Sequence, residues 1–462
     1  MYNLFAQTDS SNYITIRNIS VEENKRTKDY IILNKMSLKE GDKVLAKDLD
    51  STILSNRLEI YNFKLFKDVN FNIKNWENDS LDLVIKAYDK KWTAIPVPII
   101  KFADRNVNEW WKLYNHDFGR LQYGLRVNWS NTSGRNDFVT VAFSYGFAQM
   151  LDFTYFLPYF KNKPKLGLMT DFMMMRSRRT AYTTRNDELQ YLTISKTFHN
   201  TNIKFEPSIF FNQDKYTNHI LTAGYGYTKV SDSVIHANPN YFINDKNNQH
   251  YFKIAYNFVA DHRNVKAYPT DGWLLQFGIQ NYGLGFMKDV KMTNIYFRLS
   301  KYNEWEKHKR FSVANYGKFL ISFKDKQPYN LQSVKSLGYG DNLVRGYELN
   351  VLDGQHYLLF KTEQRFKAVD FKFINAKKFK NKAIINKAMA YLPINLVIKT
   401  YFDAAYVWDN QFEATNQLKN KWIFGFGAGI DLITFNFSVV RFEYSFNRNL
   451  ENRLYLHFIQ AL

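Results

Sequence analysis

The sequence contains no cysteine, 9 prolines in 462 residues, and no apolar run long enough to cross a bilayer as a helix. The missing thiols exclude cysteine nucleophiles, thiolate metal sites and disulfide frameworks, and they are compatible with an oxidising compartment without proving one. A membrane-spanning helix needs about 18 or more consecutive apolar residues, so a helical membrane protein is excluded. The nine histidines are dispersed, and no HExxH, phosphate loop or nucleophile elbow occurs. A serine and histidine meeting across strands is the one hydrolytic arrangement that leaves no local signature. The chain is therefore read as a non-enzyme, with no cofactor and no metal.

Aromatic residues are abundant instead, at 18%, with 40 Phe and 32 Tyr. Rings at that density suit the lipid-facing strands and interfacial girdles of a membrane β-barrel. Mean hydropathy is −0.44, which does not count against a barrel, because alternating strands average to mild values. The formal charge of +20 raises nucleic acid as a partner. The lysines are scattered among asparagines with no nucleic-acid motif, so the expectation is no nucleic acid; anionic lipid head groups or a general Lys/Asn bias account for the charge. Residues 1–11 read as an N-terminal tail. Met1 to Gln7 lacks the basic start and apolar core of a secretory signal, so Leu4 to Gln7 is either the remnant of one or an ordinary cytoplasmic start.

Residues 12–91 change period in order. Ile14 and Ile16 alternate in a strand, and a helical stretch runs from Thr27 to Met36. A second helix carries Leu49, Ile53 and Ile60 on one face. Val69, Phe71 and Ile73 then alternate, followed by Leu81, Leu83, Ile85 and Ala87. The expectation is a small α+β domain in the order strand, helix, helix, strand, strand. From 92 to 462 period-two runs of about ten residues take over. Tyr123, Leu125, Val127 and Trp129 oppose Gln122, Gly124, Arg126 and Asn128; Val141, Phe143 and Tyr145 oppose Thr140, Ala142 and Ser144; Phe252, Ile254, Tyr256 and Phe258 repeat the design. A soluble sandwich also alternates, but the number of strands and the aromatic apolar face favour a transmembrane barrel. About 17 runs can be counted, whereas a closed bacterial barrel usually has an even number. One run in 189–230 is therefore surplus, either merged with its neighbour or part of an extracellular hairpin. The expected fold is mainly β, a 16-stranded antiparallel transmembrane β-barrel preceded by one small α+β domain.

A long connection holds Gly338, Gly340 and Asp341, then Val344, Arg345, Gly346 and Tyr347. It resembles the arginine-bearing loop motif of the BamA and TamA superfamily of outer-membrane assembly and translocation proteins. In that family the sixth extracellular loop folds back into the barrel, and its arginine contacts acidic residues of the inner wall. The resemblance implies that Glu363 and Asp403 are the lumen partners. Parity agrees, because Glu363 opposes Leu358 and Phe360, and Asp403 shares a face with Lys399 and Tyr401. Read without the resemblance, Arg345 is an ordinary exposed loop residue. Gly425, Gly427 and Gly429 occupy one face of a strand and leave room for another backbone, expected to be the loop with Arg345; a dinucleotide motif does not fit, since no helix follows.

The domain of residues 12–91 resembles a POTRA module, the periplasmic unit that precedes these barrels, here in a single copy. Family barrels usually end in an aromatic residue, whereas Phe458 is followed by Ile459 to Leu462. Pro96 and Pro98 fall at one parity of the expected first barrel strand, 93–100, and remove two amide donors from one of its edges. A weak lateral seam is expected against the last strand, with Leu454, Leu456 and Phe458; the other reading is a linker stiffened by proline. Residues 370–392 carry six lysines and no acid after Asp370. They are expected to form a periplasmic turn, against lipid head groups or a partner, or simply solvated.

The function implied is insertion or translocation of other polypeptides at the bacterial outer membrane, with the POTRA-like domain in the periplasm. Partners implied are outer-membrane lipids, unfolded or partly folded outer-membrane or secreted clients, and periplasmic chaperones or accessory lipoproteins. A passive outer-membrane channel, porin-like and without assembly activity, is the alternative.

Overall fold

The computed structural model describes residues 13–61, 65–90, 93–102, 110–111, 115–161, 163, 165–192, 196–242, 246–266, 268–285, 287, 289–305, 310–323, 328–332, 337–338, 342–373, 392–409, 415–433 and 439–459. The tail 1–11, Gly340, Asp341, the side chain of Phe458 and the lysines between 374 and 391 lie outside them.

Two compact units divide the chain, and the first gathers everything up to Pro98 with Leu125–Ala142 and Asp152–Asp171. Its N-terminal part runs β1 (Tyr13–Glu22), α1 (Asp29–Leu33), β2 (Lys43–Leu45), α2 (Leu49–Tyr61), β3 (Phe66–Glu77) and β4 (Ser80–Asp89). The four strands form one sheet in the order β2-β1-β4-β3. The alternating residues read from the sequence supply its core: Ile14, Ile16, Val69, Leu81, Leu83, Ile85 and Ala87 pack with Leu49 and Ile60 of α2. A short β2 is added to the expected order. Helix α1 is shorter than the periodicity predicts, because the Thr27 hydroxyl donates to Asp89 Oδ1 (2.5 Å) and does not cap a helix.

The same unit holds the turn 131–137. Lys28 N–H donates to Gly134 O (2.8 Å) and Asn131 Nδ2 donates to Thr27 Oγ1 (2.8 Å). Gly134 has φ +79°, and a Cβ there would stand 2.1 Å from Arg26 O, so glycine is required twice over. Asp137 organises the turn by accepting from the Thr132 hydroxyl and the Ser133 amide. Burial pushes its carboxyl up, but these bonds outweigh burial and hold it below the ordinary carboxylate value. A depressed pKa stabilises above the ordinary carboxylate range, and that contribution is lost as pH falls through the lowered value.

The remaining strands are β5 (Ala94–Phe102), β6 (Leu121–Ser130), β7 (Phe138–Gly146), β8 (Ala148–Leu157), β9 (Leu166–Ser177), β10 (Ala181–Arg185), β11 (Glu188–Tyr191), β12 (Asn200–Asn212), β13 (Thr217–Val230), β14 (Asn248–Asp261), β15 (Gly272–Tyr282), β16 (Met292–Trp305), β17 (Phe311–Phe323), β18 (His356–Phe373), β19 (Leu392–Trp408), β20 (Trp422–Ile433), β21 (Val439–Phe446) and β22 (Asn452–Ile459). Sixteen of them make one sheet in sequence order from β5 to β22, and only β10 and β11 stand outside it. This resolves the surplus run. Leu189 belongs to β11, which pairs with β10 alone, because Asn186 and Asp187 at φ +53° and +59° close the tight turn that favours a two-stranded hairpin.

Alternation is visible strand by strand. Tyr123, Leu125, Phe143, Tyr145, Ile254, Phe277, Leu299, Phe360 and Phe402 are exposed, while Gln122, Ser144, Gln249, Asn294, Ser300, Glu363 and Asp403 are buried. The apolar face points outward and the polar face is enclosed, the reverse of a soluble protein.

Replacing Gly134 by valine is expected to push Arg26 O away and break the Lys28 bond. Hydrogen exchange should then quicken at the Lys28 amide while β1, β3 and β4 keep their protection; unchanged protection at Lys28 would contradict this account.

Candidate functional site

Within the second unit, the long connection between β17 and β18 turns back under the sheet's enclosed face. Its base is stapled by an antiparallel bridge, with Leu337 and Leu352 exchanging amide bonds of 3.3 and 3.1 Å. Val344, Tyr347, Leu337 and Leu352 are buried against Leu359, Ala405, Val407 and Ile423 of β18, β19 and β20. Apolar packing thus carries the segment inward and sets Arg345 between charges. Gly346 takes φ +88°, and a Cβ on it would stand 2.8 Å from Phe446 O. Tyr347 accepts the Arg448 amide (3.1 Å).

Arg345 is 4% exposed. Its Nη1 donates to Glu363 Oε1 (2.5 Å). Its Nε donates to Asp403 (3.0 and 3.1 Å) and Nη2 to Asp403 Oδ1, while its own amide donates to Asp403 Oδ2 (2.9 Å). The guanidinium lies 4.0 Å from the centre of the Tyr401 ring. The two carboxylates expected from the sequence are brought to the arginine, and each accepts from a different edge of it. That fork geometry is what lysine lacks.

The glycine column divides. A Cβ at Gly425 would be 1.7 Å from Arg345 O, so this position does receive the loop. Gly427 and Gly429 instead make room for Tyr401 and for Lys399 and Glu443 on the flanking strands. The expectation that all three glycines accommodate the loop is corrected: register puts only Gly425 opposite Asp403.

Sequence reasoning missed the ring around this core. Lys399 Nζ stands 2.8 Å from Glu443 and 3.1 Å from Asp431. Arg365 donates to Glu363 Oε2 (2.7 Å) and Pro269 O (2.9 Å), and Arg441 holds Asp431 at 2.9 and 3.1 Å. Tyr268 closes the group from the β14–β15 connection, its hydroxyl donating to Asp431 Oδ2 (2.9 Å). Glu348 and His457 complete it, 3.9 Å apart. Parity alone marks Asp431 as facing with the glycines and Arg441 with Glu443, but pairing partners need the register. Glu348, Glu443 and His457 also offer three donor atoms within 4.8 Å of one another, the group among the described residues best spaced for a metal ion. Lys399 and Arg345 already stand 2.8 and 3.5 Å from one Glu443 oxygen, so the positive charge there is supplied by the protein.

Pro96 and Pro98 lie on β5, and Leu454, Leu456 and Phe458 on β22; these strands are the two ends of the strand order. Leu454 is 64% exposed.

Residues 131–458 match the Omp85 superfamily domain. The chain belongs to the Omp85 superfamily. Among solved structures it is similar to BamA from Haemophilus ducreyi lacking POTRA domains 1–3, at 14% identity and TM-score 0.63, over 97% of this chain and 83% of that one. It is also similar to CdiB from Escherichia coli (9% identity, TM-score 0.56, 97% and 75% covered) and CdiB from Acinetobacter baumannii (12%, 0.53, 97% and 73%). No curated protein matches the sequence. The fold is thus the Omp85 barrel, with 16 strands and a small α+β region in front, and the enclosed polar face is its lumen.

Arg345→Ala strands Asp403, which is fully buried, beside Glu363. Breaking a buried pair from one side costs about 3–5 kcal/mol, and a lower unfolding temperature in detergent should report it, with Arg345→Lys recovering only part. Gly425→Ala should act in the same direction through displacement of Arg345 O, whereas Gly317→Ala, where a Cβ meets nothing within 4 Å, should be silent. Equal behaviour of the two alanines would refute the loop-seat assignment.

Proposed function

We propose that this Omp85 barrel inserts or translocates other polypeptides at the bacterial outer membrane, that its N-terminal domain is a single periplasmic POTRA-like module, and that its working part is a lateral seam between β5 and β22. The observation that carries the reading is the lock at Arg345: one loop residue is held by carboxylates from two strands and backed by a lumen ion-pair network. A passive pore has no need of a loop fastened so firmly in its lumen. The strand order supports the seam, because β5 and β22 are its end members and β5 carries two prolines, which are tolerated chiefly where a strand edge is not fully paired.

An opened seam would present unpaired N–H and C=O groups to a client strand, which adds by backbone hydrogen bonds with little demand on sequence. Clients are unfolded or partly folded outer-membrane or secreted polypeptides, with periplasmic chaperones or accessory lipoproteins delivering them. No enzymatic step and no cofactor enters this scheme.

The cysteine-free sequence makes the test clean. One cysteine is placed in β5 and one in β22, and the bacterium is depleted of the native copy. Oxidised protein should fail to sustain its clients in the outer membrane, and reductant should restore them. Normal client levels with the seam locked would defeat the proposal, and conductance with unchanged outer-membrane protein content after depletion would favour the passive channel.

A further inference from the structure

At the end of the strands remote from Arg345, three rings stack on the outward face of the sheet. Tyr216, in the β12–β13 turn, lies 4.4 Å from His262, and His262 lies 4.4 Å from Trp273, both pairs at 23°. A cation stands at each end of the stack. Lys215 Nζ is 5.6 Å from the centre of the Tyr216 ring, and Lys301 on β16 is the cross-strand partner of Trp273.

Lys301 is the anomaly that directs the reading. On its strand face Ile295, Phe297 and Leu299 precede it, Phe277 stands on the neighbouring strand and Asn303 follows it toward the strand end, and Lys301 itself is exposed. A charge on a lipid-facing surface is costly at mid-bilayer and nearly free at the interface, so Lys301 and Trp273 mark head-group level. The supporting turns are prebuilt. Asp214 accepts the amides of Tyr216 and Thr217 (2.7 and 2.8 Å), and Asn264 Oδ1 accepts the amides of Val265 and Thr270 (2.8 and 3.2 Å).

Charge along the chain agrees. From β12 to β22, the connections at this end carry eleven Lys and Arg against three Asp and Glu, while those at the opposite end carry ten against ten. Along the sequence, one set of connections is strongly cationic and the other is balanced.

We propose that Lys215, the Tyr216–His262–Trp273 stack and Lys301 form a binding site for one anionic phospholipid, Lys301 taking its phosphate, Lys215 adding attraction from the other end of the stack and the rings lying against the glycerol and upper acyl chain. The inference rests on the outer-membrane barrel reading but not on assembly activity. The site fixes the barrel's depth and rotation at the leaflet on that side. Lysine stems lie along the apolar surface and carry the charge to the phosphate, and each lysine there contributes the modest attraction typical of a basic residue at an anionic surface.

The full chain in neutral detergent is titrated with palmitoyl-oleoyl phosphatidylglycerol, the phosphatidylcholine analogue and sn-glycerol 3-phosphate, with bound lipid counted by native mass spectrometry. One phosphatidylglycerol should bind in preference to phosphatidylcholine, and glycerol phosphate should compete poorly. The double substitution Lys215→Ala and Lys301→Ala should weaken phosphatidylglycerol by roughly thirtyfold and leave the heat-dependent gel shift of the folded barrel unchanged, whereas Lys421→Ala at the opposite end should do nothing. Undiminished phosphatidylglycerol binding by the double variant overturns the site. Glycerol phosphate binding as tightly as the lipid also overturns it, in favour of a free-anion site. Loss of clients in the locked-seam experiment with no lipid preference sinks this inference alone; a lipid preference with normal clients sinks the assembly reading alone.

Discussion

A guanidinium removed from water has to be matched by carboxylates placed before it arrives, and Arg345 at 4% exposure is matched from two strands at once. Burial of the arginine alone, or of Asp403 and Glu363 alone, would be strongly unfavourable. Together they are mutually dependent, so the loop cannot leave without exposing or orphaning a charge. The surrounding group among the described residues is four cations, Arg345, Arg365, Lys399 and Arg441, against five carboxylates, Glu348, Glu363, Asp403, Asp431 and Glu443. His457 stands beside two of these carboxylates, 3.9 Å from Glu348 and 3.5 Å from Glu443.

Such a network is assembled by the simplest rule of strand geometry. Successive side chains alternate between faces, so β18 to β21 each commit alternate residues inward, and antiparallel registers align them: Glu363 with Tyr401, Arg365 with Lys399, Asp403 with Gly425, Asp431 with Arg441. A shift of one residue in any ladder would send its charges into lipid. Ion pairs and register therefore reinforce each other, and the outward apolar residues supply the penalty for error.

This division explains what was legible in advance. Parity alone put Glu363 and Asp403 inward and Gly425, Gly427 and Gly429 on one face, and alternation alone separated the small N-terminal sheet from the long series of strands. The arginine's destination was not legible from alternation, because a loop residue has no parity; the motif around Val344 and Gly346 carried it. Neither were Lys399, Asp431, Arg441 and Glu443 as a group, since they are scattered over more than forty residues of sequence and meet only through pairings between strands. Glu348 and His457 come from a loop and the last strand, with no shared signal. The hairpin of β10 and β11 was indistinguishable from sheet strands because its residues alternate too, and the left-handed pair Asn186 and Asp187 marks only the tight turn that joins them.

The inward glycines hold information that parity does not. A Cβ at Gly427 would collide with the Tyr401 ring, one at Gly278 with Tyr296 and one at Gly226 with Tyr251, and each tyrosine is the cross-strand partner of its glycine. A large ring laid over a bare backbone position fills the enclosed face and shields the glycine's peptide groups, the pairing by which aromatic residues compensate glycine in strands. Any one-residue slip would set the ring against a side chain, so every such pair pins its ladder. The aromatic richness of this sequence therefore serves both faces: outward rings meet lipid, and Tyr251, Tyr296 and Tyr401, each seated on a glycine of a neighbouring strand, pin their ladders, Tyr401 in the one that sets Gly425 opposite Asp403.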